Sequence, residues 1–170
     1  MQNVEQTWII LGATSSMARA MARQLAKEGA ALILCGRDMD DLAATAADCT
    51  ARGATEAVAI RFDARDSATF TPIIDRALQN EGAINCAVFV GSMPEQEAID
   101  ADPALIAGVV QDSHIGPASF LSMLAPHMEA RGQGTVVGVG SVAGDRGRIG
   151  NYVYGSAKAG LDRKSTRLNS

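Results

Sequence analysis

Tyr154 and Lys158 stand four residues apart, so on a helix their side chains share one face. A phenol titrates near ~10, and an ammonium beside it favours the phenolate and lowers that value. Such a pair can pass a proton near neutral pH, although the same spacing is common in helices that do no chemistry. Ser141 precedes Tyr154 by thirteen residues and follows the apolar run Thr135–Val139. A hydroxyl at the end of a buried strand suits an oxygen on which charge develops. Tyr152 has no equivalent partner, because Ser156 follows it by four.

A second constellation lies near the start. Trp8–Leu11 reads as a short buried strand running into Gly12, Ala13, Thr14, Ser15, Ser16, Met17 and Ala18, and then a helix. A tight strand-to-helix turn aims unpaired N–H groups and the positive helix end at one point, which is an anion site. Thr14, Ser15 and Ser16 either bond phosphate oxygens or cap the helix. The full G-x-G-x-x-G pattern is absent, so the turn alone is a weak signal.

The elements that position these residues alternate in type. Apolar runs at Trp8–Leu11, Ala31–Cys35, Glu56–Arg61, Cys86–Val90 and Thr135–Val139 read as strands. Helical stretches fall at Ser15–Glu28, with Met17, Met21 and Leu25 on one face, at Asp38–Arg52 and at Asp66–Asn80. A longer one runs from about Asp102 to Glu129, where Pro117 and Pro126 are expected to kink or end it. A last helix starts at Tyr152. Strands alternating with helices mean βαβ units and a doubly wound parallel sheet. Met17, Met21, Met123 and Met128 read as core, and His114 and His127 as helix-surface or interface residues.

Composition narrows the function. The 170 residues fit one α/β domain, with 47% hydrophobic and 20% charged residues, a soluble globular balance. A formal charge of −4 with only 4% aromatics argues against a nucleic-acid partner. No apolar run approaches the ~18 residues of a membrane span, so no membrane role is expected. The N-terminus lacks a basic leader. Cys35, Cys49 and Cys86 form no C-x-x-C pair and read as reduced thiols, which fits the cytoplasm. No metal-ligand cluster is present.

Ser141, Tyr154-Gly-Ser-Ala-Lys158 and the Gly12 turn together resemble the short-chain dehydrogenases/reductases over nearly all of residues 7–162. That family's turn has three glycines; here Gly12 is kept and Ser16 and Ala18 replace the others. Asp63, with Ala64 beside it, matches the family's adenine-binding position after the third strand. Gly91 matches the last glycine of an N-N-A-G segment whose other residues are replaced by Val88, Phe89 and Val90. The family's catalytic Asn falls at Ser113, three before Gly116, so a proton relay that needs an amide would differ. The resemblance implies a nicotinamide-dependent oxidoreductase acting on a small carbonyl or alcohol substrate, as a homo-oligomer. In it Tyr154, Lys158, Ser141 and Ser113 do the chemistry. Gly12, Thr14, Ser15, Ser16, Met17, Arg37, Asp63, Ala64, Gly91, Tyr154 and Lys158 hold the cofactor. A protein that binds NADP(H) without turnover is the alternative, and an unrelated nucleotide-sugar binder on the same fold is a third reading.

NADP(H) is expected in preference to NAD(H). An NAD site puts an acid at the end of the second strand, and here Gly36 and Arg37 occupy it. A guanidinium grips a 2′-phosphate with paired bonds, and Asp38 is expected to cap the next helix instead. Arg146 and Arg148, after Ser141, are either solvated or face an anionic substrate. The stretch 163–170 resembles a translated sequencing adapter. On that expectation the Rossmann domain, residues 1–162, lacks its C-terminal part, and the 170-residue chain by itself is not a competent enzyme.

Overall fold

The computed structural model describes residues 6–168, with side chains through residue 163. Five parallel strands lie in the order β3-β2-β1-β4-β5: β1 Gln6–Leu11, β2 Ala31–Gly36, β3 Glu56–Arg61, β4 Ala83–Val88 and β5 Val136–Gly138. The doubly wound parallel sheet expected from the alternation is therefore present. β1 is central, pairing with β2 on one side and β4 on the other (Ile9 opposite Ile33 and Cys86). Because successive side chains on a strand point to opposite faces, β1 feeds two cores. Ile9 and Leu11 join Ile33, Cys35, Ile84 and Val88 on one face. Trp8 and Ile10 join Leu32, Leu34 and Ala87 on the other.

Helices α1 (Ser16–Lys27) and α2 (Met39–Ala51) cover the second face. The buried stripe of α1 is Ala18, Ala22, Leu25 and Ala26. Met17 lies outside this stripe and is 60% exposed, contrary to its expected place in the core, and Met123 is exposed as well. Met21 and Met128 do pack against the two cores. Small alanines let α1 sit close to the sheet, and a methionine in that stripe would hold it off. The first face is covered by α3 (Phe70–Leu78), α6 (Gly116–Arg131) and Leu161 of α8 (Tyr152–Leu168), with α4 (Gln96–Ala101), α5 (Leu105–Val110) and α7 (Val142–Asp145) as shorter pieces. Phe62, Phe70 and Phe120 lock together here, one pair stacked at 5.2 Å and two edge-to-face at 5.8 and 5.7 Å.

Several boundaries differ from the sequence reading. β4 begins at Ala83 and ends at Val88, because its register follows β1 from Gln6 onward. The long helical region is not stopped by its prolines. It passes from α5 through a π-helical turn, Gln111–Ile115, into α6, with Pro117 in the first turn and Pro126 inside. Gly116 N–H reaches back to Gln111, and Pro117 brings no N–H where the hydrogen-bond ladder changes step. Helix α8, for which the sequence reading gave only the start at Tyr152, continues to Leu168 and spans 17 residues; arginine, lysine and leucine are good helix formers.

Candidate functional site

The carboxyl ends of β1, β2, β3 and β4 open onto one cleft of about 220 Å³. Its walls include Gly12, Thr14, Ser15, Arg37, Asp63, Ala64, Gly91 and Asp112. In open α/β sheets this crevice, where strand order reverses, is where ligands bind. Gly12 makes the approach possible. Its φ is +81°, and a Cβ there would lie 3.0 Å from Phe89 C and Val90 N. Ser15 caps α1 by accepting from Ala18 N–H at 3.2 Å, which leaves other first-turn N–H groups without intrahelical partners. Arg19 ties the turn down, donating to Thr14 O at 3.1 Å and pairing with Asp41 of α2. Ser16 and Met17 are exposed at the helix start.

Arg37 is exposed at the end of β2 and makes no ion pair among the described residues. Asp38 caps α2 by accepting from Asp41 N–H at 3.1 Å. Asp63 accepts from Arg65 N–H at 3.0 Å, closing the tight turn after β3. Ala64 O accepts from Gln111 Nε2 at 2.9 Å.

Lys158 carries the other end of the site. It is only 3% exposed, and its ammonium donates to Val90 O at 3.0 Å and Val139 O at 3.1 Å. Nζ also lies 5.9 Å from the centre of the Tyr154 ring. Burial pushes this ammonium below the ordinary lysine range. Gly91 gives it room, since a Cβ there would stand 3.3 Å from Lys158 Cε and 3.2 Å from Ser113 Oγ. Ser113 is fully buried on the π-helical turn. Its hydroxyl accepts from Ser92 N–H at 3.2 Å and reaches Ser92 O at 3.4 Å, so it fixes the chain beside Gly91. Ser141 caps α7, accepting from Ala143 N–H at 3.2 Å. It lines a second hollow with Lys158 and Asp162. Tyr154 is half-buried against Ile99, Val109 and Val153. Arg146 and Arg148 are exposed.

Two features escape a sequence reading. Arg65 grips Asp112 with two bonds of 2.7 Å. Burial pushes the Asp112 carboxyl up, but the bonds from Arg65 and the charges of Arg65 and Arg37 outweigh it and hold it below the usual range. The second is Gln96, buried in α4, which accepts from Val153 N–H at 3.3 Å and donates to Asp100 at 3.0 Å. Asp100 also takes the Tyr152 phenol at 2.6 Å. That bond holds Asp100 below the usual carboxylate range and raises Tyr152. A larger hollow, about 620 Å³, lies at the opposite, amino-terminal ends of the strands, away from all of these groups. Among the described residues no metal-ligating cluster forms, and no helix is long and apolar enough to cross a membrane.

Comparison with known proteins gives the same architecture. The family model for short chain dehydrogenases matches residues 6–169. An uncharacterised oxidoreductase of Mycobacterium tuberculosis is 39% identical over 155 residues, covering 91% of this chain and 62% of the relative. The ketoacyl reductase HetN of Nostoc is 30% identical, with 92% and 54% covered. A solved short chain dehydrogenase/reductase family protein matches with a TM-score of 0.82 at 26% identity, over 96% of this chain and 66% of that one. An actinorhodin polyketide ketoreductase solved with NADPH shares the fold, with a TM-score of 0.86 at 23% identity, over 99% and 65%. The chain thus spans less than two thirds of the length of these curated relatives. With nearly every residue inside the family match, and its strands, cleft and buried lysine laid out as described, the chain belongs to the short-chain dehydrogenase family.

Proposed function

We propose that the protein is a nicotinamide-dependent oxidoreductase acting on a carbonyl or alcohol, with Tyr154 as proton donor and NADP(H) preferred over NAD(H). The observation that carries this reading is Lys158, a buried ammonium held by two strand-end carbonyls with the Tyr154 ring beside it. A buried charge is costly unless it has work to do or partners to satisfy it. The cleft suits a dinucleotide. Gly12 leaves open a space that a Cβ would fill, and the start of α1 offers N–H groups to a pyrophosphate. Arg37 stands free for a 2′-phosphate, and Asp63 and Ala64 line the wall where the adenine is expected.

The bound cofactor would supply the hydride, and the chain's residues handle the proton. In this scheme Tyr154 gives its proton to the substrate oxygen, with the Lys158 ammonium held beside its ring. Ser141 accepts from Ala143 N–H without using its own hydroxyl proton, and that proton is what a substrate oxygen would take. Ser113, bonded to Ser92, serves in this scheme by fixing the chain at Gly91 and so the place of Lys158.

The test is Tyr154→Phe in the gene product read through to its stop codon. NADPH-dependent turnover on a carbonyl panel should fall at least ~100-fold while NADPH binding, followed by fluorescence, is kept. A parent that binds NADPH but turns over nothing would favour the binding-only reading, to which the engagement of Ser113 with Ser92 also lends support.

A further inference from the structure

We propose that Arg65 sets cofactor selectivity through Asp112: by pairing with a carboxylate in the cleft wall, it lets the cleft accept a 2′-phosphate. The inference rests on reading the cleft as an NADP(H) site. Asp112 lines the same cleft as Arg37 and the Gly12 turn, and it is only 8% exposed. An ionised carboxylate in such a wall is poorly screened and acts across the cleft. Unpaired, it would repel a 2′-phosphate and accept hydrogen bonds from a ribose diol, which is how acids select NAD in doubly wound folds.

Arg65 prevents this. Its Nε and Nη2 each reach one Asp112 oxygen at 2.7 Å, the two-point fork that a guanidinium makes with a carboxylate. Gly108, one turn before Asp112, makes room, since a Cβ there would lie 2.9 Å from Arg65 Nη2. Arg65 itself is half-exposed and not part of a core. With the fork closed, Asp112 is neutralised, Asp63 is balanced by Arg61 at 3.8 Å, and Arg37 is the charge left facing the cofactor. The charge of Arg37 is among those that keep Asp112 ionised, so the two groups sense each other across the site.

The experiment measures Kd for NADPH and for NADH at pH 8 and low salt, on the full gene product and its variants. Arg65→Gln should lower the preference for NADPH roughly tenfold. Arg65→Lys, which keeps the charge, should retain the preference. Arg65→Gln combined with Asp112→Asn should restore it. A purely structural ion pair would weaken both dinucleotides alike, and an unchanged Kd ratio across the three variants overturns the proposal. If Arg65→Gln does not fold, Asp112→Asn alone decides. It leaves an extra cation at the cleft, so the preference should rise, and a constant or lower ratio is fatal. A parent that shows no NADPH preference instead removes the underlying cofactor reading, and that is seen before any variant is made.

Discussion

Arg37 stands where β2 ends, and its neighbour Asp38 is turned away to cap α2. A carboxylate spent on a helix cap does not compete for a ribose, so at this strand end the guanidinium would meet the proposed cofactor. Arg37→Ala should therefore weaken NADPH binding by ~10-fold or more and change NADH little. Equal losses for both, by fluorescence titration, would contradict that. Lys158 permits a different measurement. Its value falls on folding, so the native state binds the proton less tightly than the unfolded chain. The cost is full at neutral pH and is relieved as pH climbs through the lowered value towards the usual ~10.4. Urea midpoints from pH 7 to 10 should rise for the parent relative to Lys158→Met, and parallel curves would show that the ammonium is not strained by burial. At this scale spacing made a neighbourhood legible: Lys158 lies beside the Tyr154 ring and lines one hollow with Ser141. It was silent on Arg65 with Asp112, because a pair joined only by the fold leaves no periodic trace.

Among elements, α4 ties down the start of α8 by hydrogen bonds, while α7 packs against the same turn. Gln96 satisfies Val153 N–H, one of the first-turn donors that lack an intrahelical acceptor, and Asp100 ties back Tyr152. Gln96→Ala should leave that donor unpaired and let the Tyr154 turn shift. A displacement of ~1 Å can cost ~100-fold in rate, so kcat should fall while the Kd for NADPH, set at the far end of the cleft, stays within about twofold. Loss of both together would mean that α4 supports the whole domain rather than one helix. α4 was not legible beforehand, since six residues carry too little periodicity to stand out. The five strands were legible because runs such as Ala31–Gly36 are apolar on both faces. Their exact ends were not. β4 starts at Ala83 because Gln6 of β1 is its register partner, a constraint from the other end of the chain. The π-helical turn was hidden for a related reason: Pro117 predicts a break, whereas a first-turn position tolerates it.

For the molecule as a whole, the thiols report on global opening. Cys35, Cys49 and Cys86 are free and buried, and burial raises all three, so reactive thiolate is suppressed. A thiol reagent such as DTNB should label none of them in native buffer and all three in urea, and rapid native labelling would show that a strand or α2 opens locally. The central place of β1 bears on how such a molecule comes together. Its partner β2 follows it closely in sequence, whereas β4 comes only near the middle of the chain. Closing a long loop costs entropy before any contact repays it. The wall of alanines and leucines under α1 and α2 can thus assemble early. The opposite wall, with its three phenylalanines, must wait for the later chain, and until then β1 shows water a bare row of Ile9 and Leu11.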